Sequence, residues 1–269
     1  MPFTLSHAAA VLPFRRRLIP SALVVGALAP DFEYFLRLSP ADRFGHTLLG
    51  AFMFTLPVAL AVLWMFQRLI KVPVVQLMPD ALQRRMANHI DAFRFGPGKR
   101  FLLIIVSLLL GITTHLLWDS FTHPTTWLYY HWGFLRHPVH LPVLGWVGYY
   151  KLLQHLSTVA GLGILLGWFA HWYETTKPVP RKIAESLSAQ RKIAMLSIMT
   201  AVAILGTVLR LEWSVVGGPV ARNTVVGQAV VTLIALGWWE LIIHGLLAKS
   251  TRSPHEAPLG ESVTRVGRP

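Results

Sequence analysis

Long continuous runs of apolar residues, separated by short polar segments, set the organisation of this chain. Five runs stand out, at about 47–70, 101–118, 152–173, 193–209 and 224–247. Each approaches the roughly 20 residues that an α-helix needs to cross a bilayer. A sixth apolar stretch, 18–29, is too short for an ordinary span and follows Arg15, Arg16 and Arg17. It fits a broken hairpin: a helix near 6–12, a turn over 13–20 holding the three arginines, and a second helix ending at Ala29. Such a hairpin returns His7 and Asp31 to the same side, and its non-helical backbone must be covered by other helices or line a cavity. The alternative is a removable leader, since basic residues, an apolar core and Ala27-Leu28-Ala29 imitate a processing site. Pro30 is a poor residue to follow such a cut. The expected fold is therefore all-α, a polytopic transmembrane helix bundle of about five long spans plus this hairpin. Residues 1–249 form a single helical domain and 250–269 a disordered polar tail.

Composition strengthens this picture. Of 269 residues, 54% are hydrophobic and 14% charged, with a mean hydropathy of +0.51; a soluble domain carries roughly a quarter charged residues. The formal charge of +13 does not mark a nucleic-acid partner, because the basic residues sit at the ends of apolar runs. They instead report topology. Seven fall from the end of the first run to the start of the second (68, 71, 84, 85, 94, 99, 100), five from 177 to 192, and four at the C-terminal end, whereas the alternate loops hold two each (37 and 43, 136 and 151, 210 and 222). Because cytoplasmic loops keep the Lys/Arg excess, the first set is expected in the cytoplasm together with the C-terminus, as in a multi-pass protein of a bacterial inner membrane.

On that topology the ionisable residues gather. Asp31, His46, His115, Asp119, His123 and His155 all fall at outward ends of apolar runs. His115 and Asp119 are four apart and share a helix face, which His123 would continue if the helix passed Thr122 before Pro124 stops it. A carboxylate at the C-terminal end of a helix is disfavoured by roughly 0.3–1 kcal/mol, and charges near hydrocarbon are expensive. A divalent ion shared by Asp31, Asp119 and two or three histidines answers both penalties. With no cysteine in the chain, any metal must be held by His, Asp or Glu. Simpler readings exist for each residue alone: an ion pair for His115 and Asp119, an interfacial side chain for His46, and a turn residue for Asp31. Their convergence on one side favours the metal.

Elsewhere, His131, His137 and His140 lie in a loop dense in Trp and Tyr that reads as an interfacial aromatic belt. Glu240 and His244 share a face of the last run and read as a local pair. No G-x-S-x-G, P-loop, Rossmann glycine pattern or H-E-x-x-H occurs.

The segments Met1-Pro-Phe-Thr-Leu-Ser-His7, Ala29-Pro-Asp31-Phe-Glu-Tyr34, Gly45-His46-Thr-Leu-Leu-Gly50, His115-Leu-Leu-Trp-Asp119-Ser-Phe-Thr-His123 and Leu153-Gln-His155 resemble an uncharacterised family of bacterial membrane proteins, domain of unknown function 4184. More distantly, the order His, Pro-Asp, His, His-x-x-x-Asp is similar to predicted membrane-bound metal-dependent hydrolases. That resemblance implies metal ligands at His7, Asp31, His46, His115 and Asp119. It departs at Glu33, which replaces a second aspartate, and at Arg43-Phe44-Gly45, which replaces His-Arg-Gly; His123 or His155 would then stand in, or activity has been lost. The expectation is a hydrolase of a lipid or lipid-linked ester, amide or phosphoester at the outer membrane face. Its ion would be Zn, with Mn or Fe as other options, and Glu33 and His123 would act as acid–base residues. Membrane lipids are the expected partners. The rival expectation is a non-catalytic transporter or envelope-complex partner whose His/Asp cluster binds a metal or protons.

Overall fold

The computed structural model describes residues 3–39, 44–90, 93–142, 145–179, 187–216 and 222–250. The tail over 251–269 and Arg43 lie outside them. Five helices are long and apolar enough to span a membrane: α4 (Leu48–Leu77), α6 (Gly98–Thr122), α9 (Tyr149–Thr175), α10 (Ala189–Val216) and α11 (Arg222–Ser250). The expected all-α transmembrane bundle is thus the architecture. Most spans run several residues past the limits read from hydropathy. α4 departs most, passing through Pro57 and Pro73 with π-helical turns at Ala51–Thr55 and Phe66–Ile70. Each wide turn precedes a proline, whose ring and missing N–H prevent regular α-helical bonding four residues back. The Leu69 carbonyl, which Pro73 cannot bond, faces Gly245 of α11, where any Cβ would collide with it.

The broken hairpin is present. It comprises α1 (Thr4–Phe14), a turn through the arginines, α2 (Pro20–Leu28), a 3-10 turn over Ala29–Asp31 and α3 (Phe32–Arg37). α2 has nine residues, about 13 Å of helix, which is less than half a hydrocarbon core. It is nevertheless the centre of the packing: Ala22 and Val25 are buried with Leu63 of α4 and Ile104, Leu108 and Ile112 of α6, while Leu23 and Ala27 are buried with Val11 of α1. Its exposed backbone is satisfied by neighbours, as burial in hydrocarbon demands. Ile19 N donates to Ser107 Oγ of α6 at 3.1 Å, and the Gln67 amide donates to Ser21 Oγ at 2.9 Å.

Two glycines permit the contact. A Cβ on Gly26 would strike the Leu108 carbonyl, and one on Gly111 would lie 2.5 Å from the Leu23 carbonyl oxygen. The backbones of α2 and α6 therefore touch, as small residues allow between membrane helices. α9 and α10 instead present most of their apolar side chains outward, as lipid-facing helices do.

After α6 the chain forms two short helices, α7 (Trp127–His131) and α8 (Gly133–Arg136), and then a hairpin of β1 (Pro138–Leu141) with β2 (Gly145–Gly148), in which Val139 faces Val147. This small sheet was not expected. Trp127, Trp132 and Trp146 are exposed along this segment, His131 stacks on Trp127, and the rings of His140 and Trp146 meet edge to face, in keeping with an aromatic belt. At the opposite end lies a short helix, α5 (Asp80–Met86), whose Arg85 donates to the Tyr173 carbonyl at 2.8 Å and whose Asp80 pairs with Lys192 at 2.6 Å, tying it to α9 and α10.

Gly111→Val should lower the stability of the detergent-solubilised protein by about 1–3 kcal/mol or more, because a side chain cannot enter the α2–α6 contact. Gly163→Ala, where a Cβ meets nothing within 4 Å, should leave the melting temperature unchanged or raise it. Equal melting temperatures for the two variants would show that the close approach does not matter.

Candidate metal centre

Asp31, His46, His115 and Asp119 come together at one end of the bundle, each offering one ligand atom, all four within 4.8 Å of one another. α6 supplies His115 and Asp119 one turn apart. The 3-10 turn after α2 supplies Asp31, and the corner before α4 supplies His46. Asp31, His115 and Asp119 are almost completely buried, and His46 is half-buried at the rim.

The distances among these atoms are informative. His46 Nε2 lies 3.5 Å from Asp31 Oδ1 and 3.3 Å from Asp119 Oδ2; His115 Nε2 lies 3.6 Å from Asp31 Oδ1 and 3.2 Å from Asp119 Oδ2. Asp31 Oδ1, His115 Nε2 and Asp119 Oδ2 make no well-aligned hydrogen bond. Four ligands at about 2.0–2.1 Å from a tetrahedral centre stand about 3.3–3.4 Å apart. The four nitrogen-to-oxygen separations match four of the six edges of such a tetrahedron.

Outer contacts fix the ligand atoms. His115 Nδ1 meets the Ala27 carbonyl at 2.7 Å; since the carbonyl can only accept, Nδ1 carries the proton and Nε2 turns its lone pair to the cluster. Thr4 Oγ1 donates to Asp31 Oδ2 at 2.6 Å, leaving Oδ1 for the centre. His7 stacks on His115 with ring centroids 3.9 Å apart, and its Nε2 is 3.4 Å from Asp119 Oδ1. Burial pushes the His7 imidazole down to about 4.

The other expected residues have different places. α6 does continue to Thr122, and His123 caps it. The Nδ1 of His123 is 3.2 Å from the Asp119 carbonyl and 3.6 Å from Asp119 Oδ1, so the ring borders the cluster. Glu33 is buried, but its carboxylate is engaged elsewhere. Oε1 accepts from Arg37 at 2.8 Å, while Oε2 accepts from the backbone N–H of Phe44 at 2.9 Å and of Gly45 at 2.7 Å. That clasp holds the corner presenting His46, and Gly45 is needed there because a Cβ would lie 2.5 Å from the Pro30 carbonyl oxygen. His155 is exposed on α9 and outside the four-ligand group; it cannot replace a ligand. Glu240 Oε1 and His244 Nε2 are each buried without a hydrogen-bond partner, so the expected local pair between them does not form. Residue-type reasoning overlooked Thr4 as an orienting donor and Glu33 as a corner clasp. For Thr4, the available signal was its place three residues before His7.

No curated protein and no solved structure matches the chain. The family described as "Domain of unknown function (DUF4184)" matches residues 1–246, a stretch that contains all four clustered side chains, His7 and all but the last few residues of the final span. The chain belongs to this family of uncharacterised domains.

Proposed function

We propose that the cluster binds one divalent cation and that the protein is a membrane-bound metal-dependent hydrolase acting on a lipid or lipid-linked ester, amide or phosphoester. The observation that carries the metal is the set of four nitrogen-to-oxygen separations of 3.2–3.6 Å, lengths that match edges of a tetrahedral coordination shell. Two carboxylates and two neutral imidazoles around a doubly charged ion make a neutral unit, which suits a site near hydrocarbon. This donor set and spacing favour Zn over Mn or Fe.

A bound ion of this kind would acidify a water and polarise a carbonyl or phosphoryl oxygen. The chain's own part is to orient and to move protons. His115 and Asp31 are locked by Ala27 and Thr4. His7 and His123, neighbours of Asp119 outside the four-ligand group, are placed to take a proton from the attacking water or give one to the leaving group. Glu33 serves by holding His46. The Lys/Arg excess of alternate loops supports a cluster at the outer face and a C-terminus in the cytoplasm.

One observation favours a second reading. Four protein ligands close a tetrahedron, the pattern of structural rather than catalytic sites, so the ion could serve a non-catalytic transporter or envelope-complex partner. Hydrolysis of lipid extracts by metal-loaded protein, absent in His123→Ala with its metal retained, separates the two.

Purified wild-type protein should contain one equivalent of metal by elemental analysis, lost in His115→Ala and Asp119→Ala. Thr4→Val should weaken metal affinity about 10–100-fold, and Thr4→Ser should restore it; well-folded wild type without metal ends the proposal. Because the chain has no cysteine, Trp146→Cys can be probed alone. A membrane-impermeant maleimide should label it in intact bacterial cells, and labelling only after permeabilisation would reverse the orientation.

A further inference from the structure

Beside the cluster, α1, α6 and α9 enclose a cavity of about 340 Å³, at the small end of the roughly 300–1,000 Å³ of ligand pockets. Its floor is made of small residues, Ala9 and Ala10 on α1 facing Ala160 and Gly161 on α9. There the two helices approach so closely that a Cβ on Gly161 would lie 2.8 Å from Ser6. Its rim is large and apolar: Trp118, Leu156 and Ile164 are 42%, 56% and 55% exposed. All three rim residues belong to candidate spans, so the cavity opens sideways, toward the surface that these spans turn to lipid. It extends along α9 from Leu153 to Ile164, about 16 Å of helix.

We infer that this groove seats an acyl chain of a membrane lipid and thereby presents the lipid's head end to the metal centre; the inference rests on the hydrolase reading and assigns its substrate a docking place. Three features select that occupant. The two hydroxyls in the lining already donate within the chain, Ser6 Oγ to the Phe3 carbonyl at 2.7 Å and Ser157 Oγ to the Gln154 carbonyl at 3.1 Å, so a polar guest gains few new bonds. An apolar hollow is a poor host for water, which needs two to four polar partners. The one ionisable side chain in the lining is His7, whose Nε2 is 3.4 Å from Asp119; the groove and the cluster share this wall. A lipid whose tail lies against Ala160 therefore carries its ester region past His7.

The full chain should be reconstituted in vesicles of phosphatidylethanolamine and phosphatidylglycerol containing a trace of phosphatidylethanolamine with a diazirine midway along one acyl chain. After irradiation, adducts mapped by mass spectrometry should be enriched about tenfold on the groove residues of α9 and α1 over the exposed face of α10. Ala160→Trp, which fills the hollow, should remove that enrichment while α10 labelling and metal content stay as in wild type. Ala10→Trp provides the same occlusion from the opposite wall if the first variant is poorly folded. Even labelling of α9 and α10, or enrichment indifferent to both tryptophans, overturns the groove. Metal-free protein that still shows the enrichment overturns the hydrolase reading and leaves the lipid site standing; metal-replete protein without enrichment does the reverse.

Discussion

Backbone contact between α2 and α6, made possible by Gly26 and Gly111, is the constraint on which the rest of the molecule depends. Helices separated by ordinary side chains stand about 8–10 Å apart. At that distance a histidine on one does not place Nδ1 2.7 Å from a carbonyl of the other, as His115 does with Ala27. The same approach sets the end of α2 beside the last turns of α6, which brings Asp31 opposite Asp119. A helix too short to span thus becomes the one around which the spans are arranged, and its ends are served by Ser107, Gln67 and the histidine.

The second organising force is charge. Two aspartates buried to within a few per cent of full exclusion would repel one another and lose their hydration if left alone. Around them the chain supplies imidazoles on the inner side and hydrogen-bond donors on the outer side. Thr4 takes the outward oxygen of Asp31, while Thr122 and His7 border Asp119. Glu33, the third buried acid nearby, is neutralised separately by Arg37 and two backbone N–H groups. The division leaves one carboxylate as scaffold and two facing a common centre.

Much of this was legible before any coordinates. Continuous apolar runs identify spans because hydrocarbon thickness fixes their length, and the four-residue step from His115 to Asp119 fixes a shared face. The placing of Asp31 and His46 at the same end followed from counting crossings. What could not be read is what depends on three-dimensional closeness. His123 and His155 are equivalent as letters, yet one caps α6 and the other points away on a helix with few buried residues. Glu33 looks like a catalytic acid until its oxygens are seen to be occupied. The extension of α4 beyond residue 70 escaped because Pro73 reads as a stop, whereas a wide helical turn absorbs it. Glu240 and His244 have the spacing of a pair but not the rotamers.

Of the four clustered side chains, three are carried by helices or the tight turn joining them, while His46 rides on a short non-helical corner fastened by one carboxylate, Glu33, and by Thr47 at the start of α4. Stiffness is therefore unequally distributed around the cluster. Loosening those bonds, together with the one from Thr55 Oγ1 to the Gly45 carbonyl, would free one imidazole before it disturbed the packed interior that holds the remaining three.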